Sequence, residues 1–153
     1  MPSKKLKQFL DEHGVKYVTI RHSPAYTAQE IAASAHVKGR EMAKTVMVKL
    51  GDEMAMAVAP ATRQLDLERV REAADAARVE VADETEFQDL FPECEVGAMP
   101  PFGGLWGMDV YVDAALRDDD QIAFNAGTHD ELIRMDYSDY ERLANPHVSN
   151  LTR

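Results

Sequence analysis

Three groups of residues carry the chemistry open to this chain: Lys44, at the head of an apolar run; a glycine- and proline-rich stretch, 95–107; and the short sequence Gly127-Thr128-His129. Side chains alternate along a strand. If Met42 to Leu50 is a strand, Lys44, Val46, Val48 and Leu50 share one face, and Thr45, Met47 and Lys49 share the other. A lysine on the side of two valines either snorkels to water or meets an anion, and parity alone favours snorkelling. Gly97, Gly103, Gly104 and Gly107 with Pro100 and Pro101 make an irregular, backbone-driven loop. The open N–H groups of such a loop suit an oxyanion or a carbonyl. His129 taken alone reads as structural. The combination is a cleft with a lysine, backbone donors and an optional histidine, suited to an acylated or phosphorylated ligand.

Other chemistries find less support. The five histidines and the single cysteine form neither His-x-x-x-His nor Cys-x-x-Cys, so sequence spacing offers no metal site, although assembly in space stays open. Cys94 would need a base such as His129 to act as a nucleophile, and reads instead as a small residue after a helix end. There is no Gly-x-Ser-x-Gly elbow and no glycine loop of the dinucleotide or Walker type. No cofactor is therefore expected.

The elements that must position these residues follow from periodicity and punctuation. Leu6, Phe9 and Leu10 predict a short helix that Gly14 stops, and Val15 to Ile20 reads as a strand. Thr27 and Glu30 have capping-box spacing and open a helix to about Ala35. Gly51-Asp52 supplies a two-residue hairpin turn into a strand from Met54 to Ala59, apolar or small on both faces and so expected at the sheet centre. Asp66 caps a helix carrying Leu67, Val70 and Ala74, and Arg78 to Val81 is a short strand. Thr85 and Gln88 suggest a second capping box, and Ser138 and Glu141 a third. Met108, Val110 and Val112 alternate with Asp109, Tyr111 and Asp113, the pattern of a half-buried strand. Gln121 to Ala126 and Glu131 to Met135 are further strands. Asn145-Pro146 ends the last helix, and the tail from His147 is expected to fray. Hairpins interrupted by helices predict a mixed α/β fold, one mixed sheet with helices around it.

At 153 residues the chain is read as a single domain, 1–153, able to bury a core without metal or disulfide. No apolar run nears the roughly 18 residues of a membrane span, and the N-terminus lacks a signal-peptide apolar core, so a cytoplasmic address is expected. Net charge is −10, but residues 1–50 carry nine Lys/Arg against four Asp/Glu, and residues 51–153 carry eight against 23. Such asymmetry hints at a basic binding face near the N-terminus, or at no more than the wet side of one helix.

Arg21-His22-Ser23-Pro24 with Thr27, Ala43-Lys44-Thr45-Val46-Met47-Val48, Gly97-Ala98-Met99-Pro100-Pro101-Phe102-Gly103 and Gly127-Thr128-His129 occur in an order and spacing that resembles the YbaK-like aminoacyl-tRNA deacylases, whose relatives include the editing domain inserted in bacterial prolyl-tRNA synthetases. The likeness covers roughly residues 3–145. It implies a curved, barrel-like mixed sheet surrounded by helices. It also implies hydrolysis of the ester between a wrong amino acid and the 3′-terminal adenosine of tRNA, with neither metal nor protein nucleophile. Gly97 and Pro101 would frame the family's Gly-x-x-x-Pro loop, whose backbone holds the carbonyl and water while a ribose hydroxyl assists. Lys44 would anchor the charged end of the substrate, and His129 completes the catalytic set. His22, Thr27, Thr45, Met47, Ala98, Met99, Phe102, Gly127 and Thr128 would line the substrate site. The implied partner is the 3′ acceptor end of aminoacyl-tRNA, reached by the basic N-terminal face or delivered by a synthetase. Met54 to Ala59 with Met99 and Phe102 suggests a small apolar-walled pocket for alanine, serine, threonine or cysteine esters. A free-standing trans-editing hydrolase is the leading expectation. A non-catalytic module for acylated adenosine or a synthetase, and a small-molecule esterase using the same cleft, are the alternatives.

Overall fold

The computed structural model describes residues 4–22, 28–35 and 37–153. Helix α1 (Lys4–Glu12) turns Leu6 and Leu10 inward and ends at Gly14, whose φ of +67° a side chain would resist. Strand β1 (Tyr17–Arg21) and helix α2 (Ala28–Ser34) follow. Next comes the hairpin of β2 (Ala43–Leu50) and β3 (Glu53–Pro60), turned at Gly51 with φ +66°. Helix α3 (Leu67–Ala74) starts where the Asp66 carboxylate accepts from the amides of Glu68 and Arg69. Strand β4 (Val79–Val81), helix α4 (Glu84–Phe87), strands β5 (Val110–Asp113), β6 (Gln121–Asn125) and β7 (Glu131–Asp136), helix α5 (Tyr137–Ala144) and strand β8 (His147–Ser149) complete the order.

The strands form two sheets where a single mixed sheet was expected, because β2 and β6 meet at an isolated bridge and not along a ladder. One runs β4-β2-β3-β5-β8, with β3-β5 and β5-β8 parallel and the other pairs antiparallel; the second is the antiparallel set β1-β7-β6. Among the described residues they join at a single parallel bridge, Met42 to Ala123, where the Ala123 amide also donates to Glu41 O at 2.9 Å. The fold is thus mixed α/β, and among the described residues no ring of ladders closes it. The main core lies between the sheets: Met47, Met56, Val58, Val110 and Val112 face Ile122, Phe124, Ile133 and Met135, with Leu6, Leu10, Phe102 and Tyr140 closing the ends. On the outer faces, Ile31 and Ala32 of α2 pack on Met42, Ala123 and Leu132. Val70 of α3 packs on Val48, Ala55 and Ala57. Each large apolar side chain so enclosed contributes about 1.5–3 kcal/mol.

Four local expectations are corrected. The strand read as half-buried is buried at all four positions, because β5 sits between β3 and β8 and is covered on both faces. Helix α4 is opened by Asp83, whose amide is held by the Glu86 carboxylate at 2.9 Å, two residues before the expected Thr85–Gln88 box. Helix α5 begins after Asp136, so Ser138 lies inside its first turn, and Glu141 pairs with Arg117 at 2.7 Å instead of capping. The tail is ordered: β8 pairs with β5, Leu151 and Thr152 are buried, and Thr152 bridges Leu65. Its anchor is the buried Asp113 carboxylate, which accepts from Leu151 N at 2.7 Å, Thr152 Oγ1 at 3.2 Å and Ala115 N at 3.3 Å.

Candidate functional site

The glycine-proline loop is clipped to the turn between β6 and β7. Glu95 N donates to Gly127 O at 2.8 Å and Gly127 N to Ala98 O at 3.0 Å, a reciprocal pair that locks the two segments together. His129, nearly buried, adds a third tie through Nε2 to Val96 O at 2.9 Å. A carbonyl only accepts, so Nε2 must carry the proton and serves the loop as a donor. Gly97 has φ +87°, which favours glycine, while a Cβ added there would meet His129 Cε1 at 3.5 Å, an ordinary contact, so conformation and not room sets the preference. The Gly97 amide is engaged only weakly, on the Met99 thioether at 3.3 Å. Pro101 cannot donate, and its carbonyl is fixed by the fully buried Tyr140 hydroxyl at 2.9 Å. On the far side of the turn, Thr128 Oγ1 donates to Asp130 at 2.7 Å and His22 N to Asp130 O at 3.0 Å. The Thr128 hydrogen bond first, then Arg21 and His22, hold the Asp130 carboxyl below the usual carboxylate range.

Lys44 stands beside this unit, not within it. It is the second residue of β2, on the face of Val46 and Val48, and the Met42–Ala123 bridge sets that end of β2 alongside β6, which leads into the Gly127 turn. Its Nζ donates to Arg63 O at 2.7 Å, and burial lowers its pKa. Among the described residues no carboxylate forms an ion pair with it. A half-buried ammonium held by one neutral acceptor is suited to an incoming anion or carbonyl.

The other candidates divide. Met47, Ala98, Met99 and Phe102 are buried, and Met47, Met99 and Phe102 lie in the core between the sheets, so they back the site more than they line it. Thr45 shares the Met47 parity on β2. Thr27 lies outside the described residues. Burial pushes the Cys94 thiol up to about 11, which leaves negligible thiolate at neutral pH. Two residues escaped the sequence reading. Tyr140 gives no local sign of its partner, which is 39 positions away. Asn125 ends β6 with its Oδ1 buried and without a hydrogen-bond partner among the described residues. Its one signal is a carboxamide closing an otherwise apolar Ile-Ala-Phe run.

Comparison with known proteins supplies the family of the chain. Residues 22–143 match the aminoacyl-tRNA editing domain, a span that takes in Lys44, the loop, the turn and Tyr140. The chain belongs to the aminoacyl-tRNA editing family. It is accordingly an aminoacyl-tRNA deacylase. It is 25% identical over 154 residues to the multifunctional Ser/Thr-tRNA deacylase ProXp-y of Escherichia coli (strain K12), covering 97% of this chain and 92% of that one. The fold is shared with the crystal structure of hypothetical protein APE2540, at TM-score 0.86 and 21% identity over 98% of this chain and 100% of that one. It is shared too with a candidate trans-editing enzyme for prolyl tRNA synthetase, at TM-score 0.84 and 20% identity over 99% of this chain and 97% of that one. Within the editing family, then, this chain presents its loop through a triple hydrogen-bonded clip and keeps beside it a lysine that has no counter-ion among the described residues.

Proposed function

We propose that this editing-family deacylase acts in trans on tRNA mischarged with serine or threonine, cleaving the ester at the 3′-terminal adenosine. The observation that carries the reading is the clip between loop and turn, which holds Gly97 at a positive φ and exposed next to His129. A loop fixed at Val96, Ala98 and Pro101 presents its remaining peptide groups without reorganisation, which is what a developing oxyanion needs. Lys44 would exchange its neutral Arg63 acceptor for the charged end of the substrate, and His129 would hold the loop in register. With the Cys94 thiol pushed up, no side-chain nucleophile is proposed. Attack by water, assisted by a ribose hydroxyl held close, is proximity catalysis. The two bridged sheets are read as the curved, barrel-like wall behind the site, the cytoplasm as the compartment, and a synthetase as the source of substrate. Similarity to a Ser/Thr-tRNA deacylase supports the choice of amino acid.

The test is release of amino acid from a panel of mischarged tRNAs by the purified chain. Turnover of seryl- or threonyl-tRNA is expected. Lys44→Ala should slow it by at least about tenfold, the loss of one charge-assisted contact. Gly97→Ala should do the same through strain at φ +87°. Saturable binding with no product on any member of the panel would overturn the reading in favour of a binding module.

A further inference from the structure

The Asn125 carboxamide carries a buried oxygen to which no described residue donates. It ends β6 opposite Leu132 of β7, and Leu132 and Ala123 both pack under α2, which fixes the face on which Asn125 stands. Met42 and Ala123 are bridge partners on that same face. Two residues further along each strand come Lys44 and Asn125, so strand parity puts the ammonium and the carboxamide on one face at the point where β2 and β6 part. The next residue but one is Gly127, half of the reciprocal clip to the Gly97 loop. Buried side-chain polar atoms almost always find a partner; Asn125 Oδ1 is buried and has none among the described residues.

We infer that Asn125 reads the side-chain hydroxyl of the amino acid being removed, and so sets the preference for hydroxylated substrates. The inference rests on the deacylase reading above and assigns a specificity to that site. A hydroxyl fits this position better than the other polar group of an aminoacyl ester, the α-ammonium. The Lys44 cation on the same face would repel an ammonium, whereas a neutral hydroxyl meets a neutral amide without charge cost. A hydroxyl both donates and accepts, so it satisfies the carboxamide whichever of its two heavy atoms points inward. A site that must hydrogen-bond a substrate hydroxyl rejects the analogue lacking it far more strongly than an apolar pocket rejects a methylene.

Serine and alanine differ by that hydroxyl alone, so the experiment compares kcat/KM on one tRNA charged with each. The wild type, Asn125→Ala and Asn125→Asp would be measured, with thermal melts as the folding control. The wild type should prefer the seryl ester by at least about 100-fold, towards the roughly 10⁴-fold of sites built to hydrogen-bond a substrate hydroxyl. Asn125→Ala should lose most of that preference by slowing on seryl-tRNA while staying within about threefold on alanyl-tRNA, and Asn125→Asp, which still accepts, should keep it. An equal fall on both esters, or no fall, overturns the inference and leaves the deacylase intact; so does a wild type that hydrolyses the two alike. If Asn125→Ala does not fold, Asn125→Asp decides: loss of the seryl preference with alanyl turnover kept overturns the inference. A wild type that releases neither amino acid brings down both the deacylase reading and this one.

Discussion

At the scale of single residues, the half-buried Lys44 makes the most direct prediction. Burial lowers its pKa below the ordinary 10.5, so the folded chain favours the neutral amine more than the unfolded chain does. The charged lysine therefore subtracts from stability at pH values below its folded pKa, and that penalty fades as the pH rises from there towards 10.5. Activity should run the other way if the ammonium anchors substrate. After correction for spontaneous ester hydrolysis, kcat/KM should show an alkaline fall centred below pH 10.5. In Lys44→Arg, whose guanidinium stays charged, the fall should vanish even if overall activity drops. An unchanged alkaline limb in that variant would show that another group titrates. Cys94 supplies the contrasting case. Its thiol is pushed up to about 11, mainly by burial, so Cys94→Ser should deacylate as well as wild type, and a thiol-alkylating reagent should leave initial rates unaltered. Of these residues, the place of Lys44 on the Val46 and Val48 face of β2 was legible from parity, which on its own favoured snorkelling. The geometry that gives His129 its role was not, since the Val96 carbonyl that fixes its proton is 33 positions away.

Among the elements, α5 matters to the site through one atom pair. Tyr140 donates to Pro101 O from a fully buried position, and its ring packs edge-on against Phe102 at 5.2 Å. Tyr140→Phe keeps the packing and leaves a buried carbonyl without a donor, which costs about 1–3 kcal/mol. Equilibrium denaturation should show that loss. Deacylation should fall by more than the folded fraction does, because the loop end is released as well. Equal loss in both measurements would make Tyr140 a purely structural residue. The elements themselves were readable where local chemistry decides them. The Gly51 turn, the Asp66 cap and the left-handed Asn145 that ends α5 are all set within a few residues of chain. Where tertiary partners compete, local spacing misleads. Glu141 has the spacing of a capping residue, but Arg117, 24 positions away, takes its carboxylate. The alternation around Tyr111 reads as half-exposed, yet β8 returns from the C-terminal end to cover it, with His147 stacked on the Tyr111 ring at 4.9 Å.

Over the whole molecule, the tail read as frayed from its sequence is the piece that connects the far side of the fold to Lys44. No local pattern announces this, because the anchor, Asp113, sits 38 residues before Leu151. From the anchored tail the contacts run onward: Leu151 O accepts from Asp66 N at 2.7 Å, Arg153 N donates to Gln64 O at 3.0 Å, and Thr152 O accepts from Arg69 Nη1 at 2.9 Å. The segment so braced carries Arg63, whose carbonyl holds the Lys44 ammonium at 2.7 Å. Two changes at the tail should therefore be felt at the site. Asp113→Ala strands the buried Leu151 amide and frees the Thr152 hydroxyl, at a cost on the order of 3 kcal/mol. Hydrogen exchange should quicken at 150–153 and at 63–66 before it does in the β2–β3 hairpin. Removing residues 150–153 should also take away the buried Leu151 packing, about 1.5–3 kcal/mol more. If the brace positions Lys44, the truncated chain, assayed at a temperature where it stays folded, should show a raised KM with kcat less affected. Lys44→Ala should then add little to that defect, because the two changes act through one contact. Full additivity of truncation and Lys44→Ala would separate the tail from the site and leave it a stabilising strand alone.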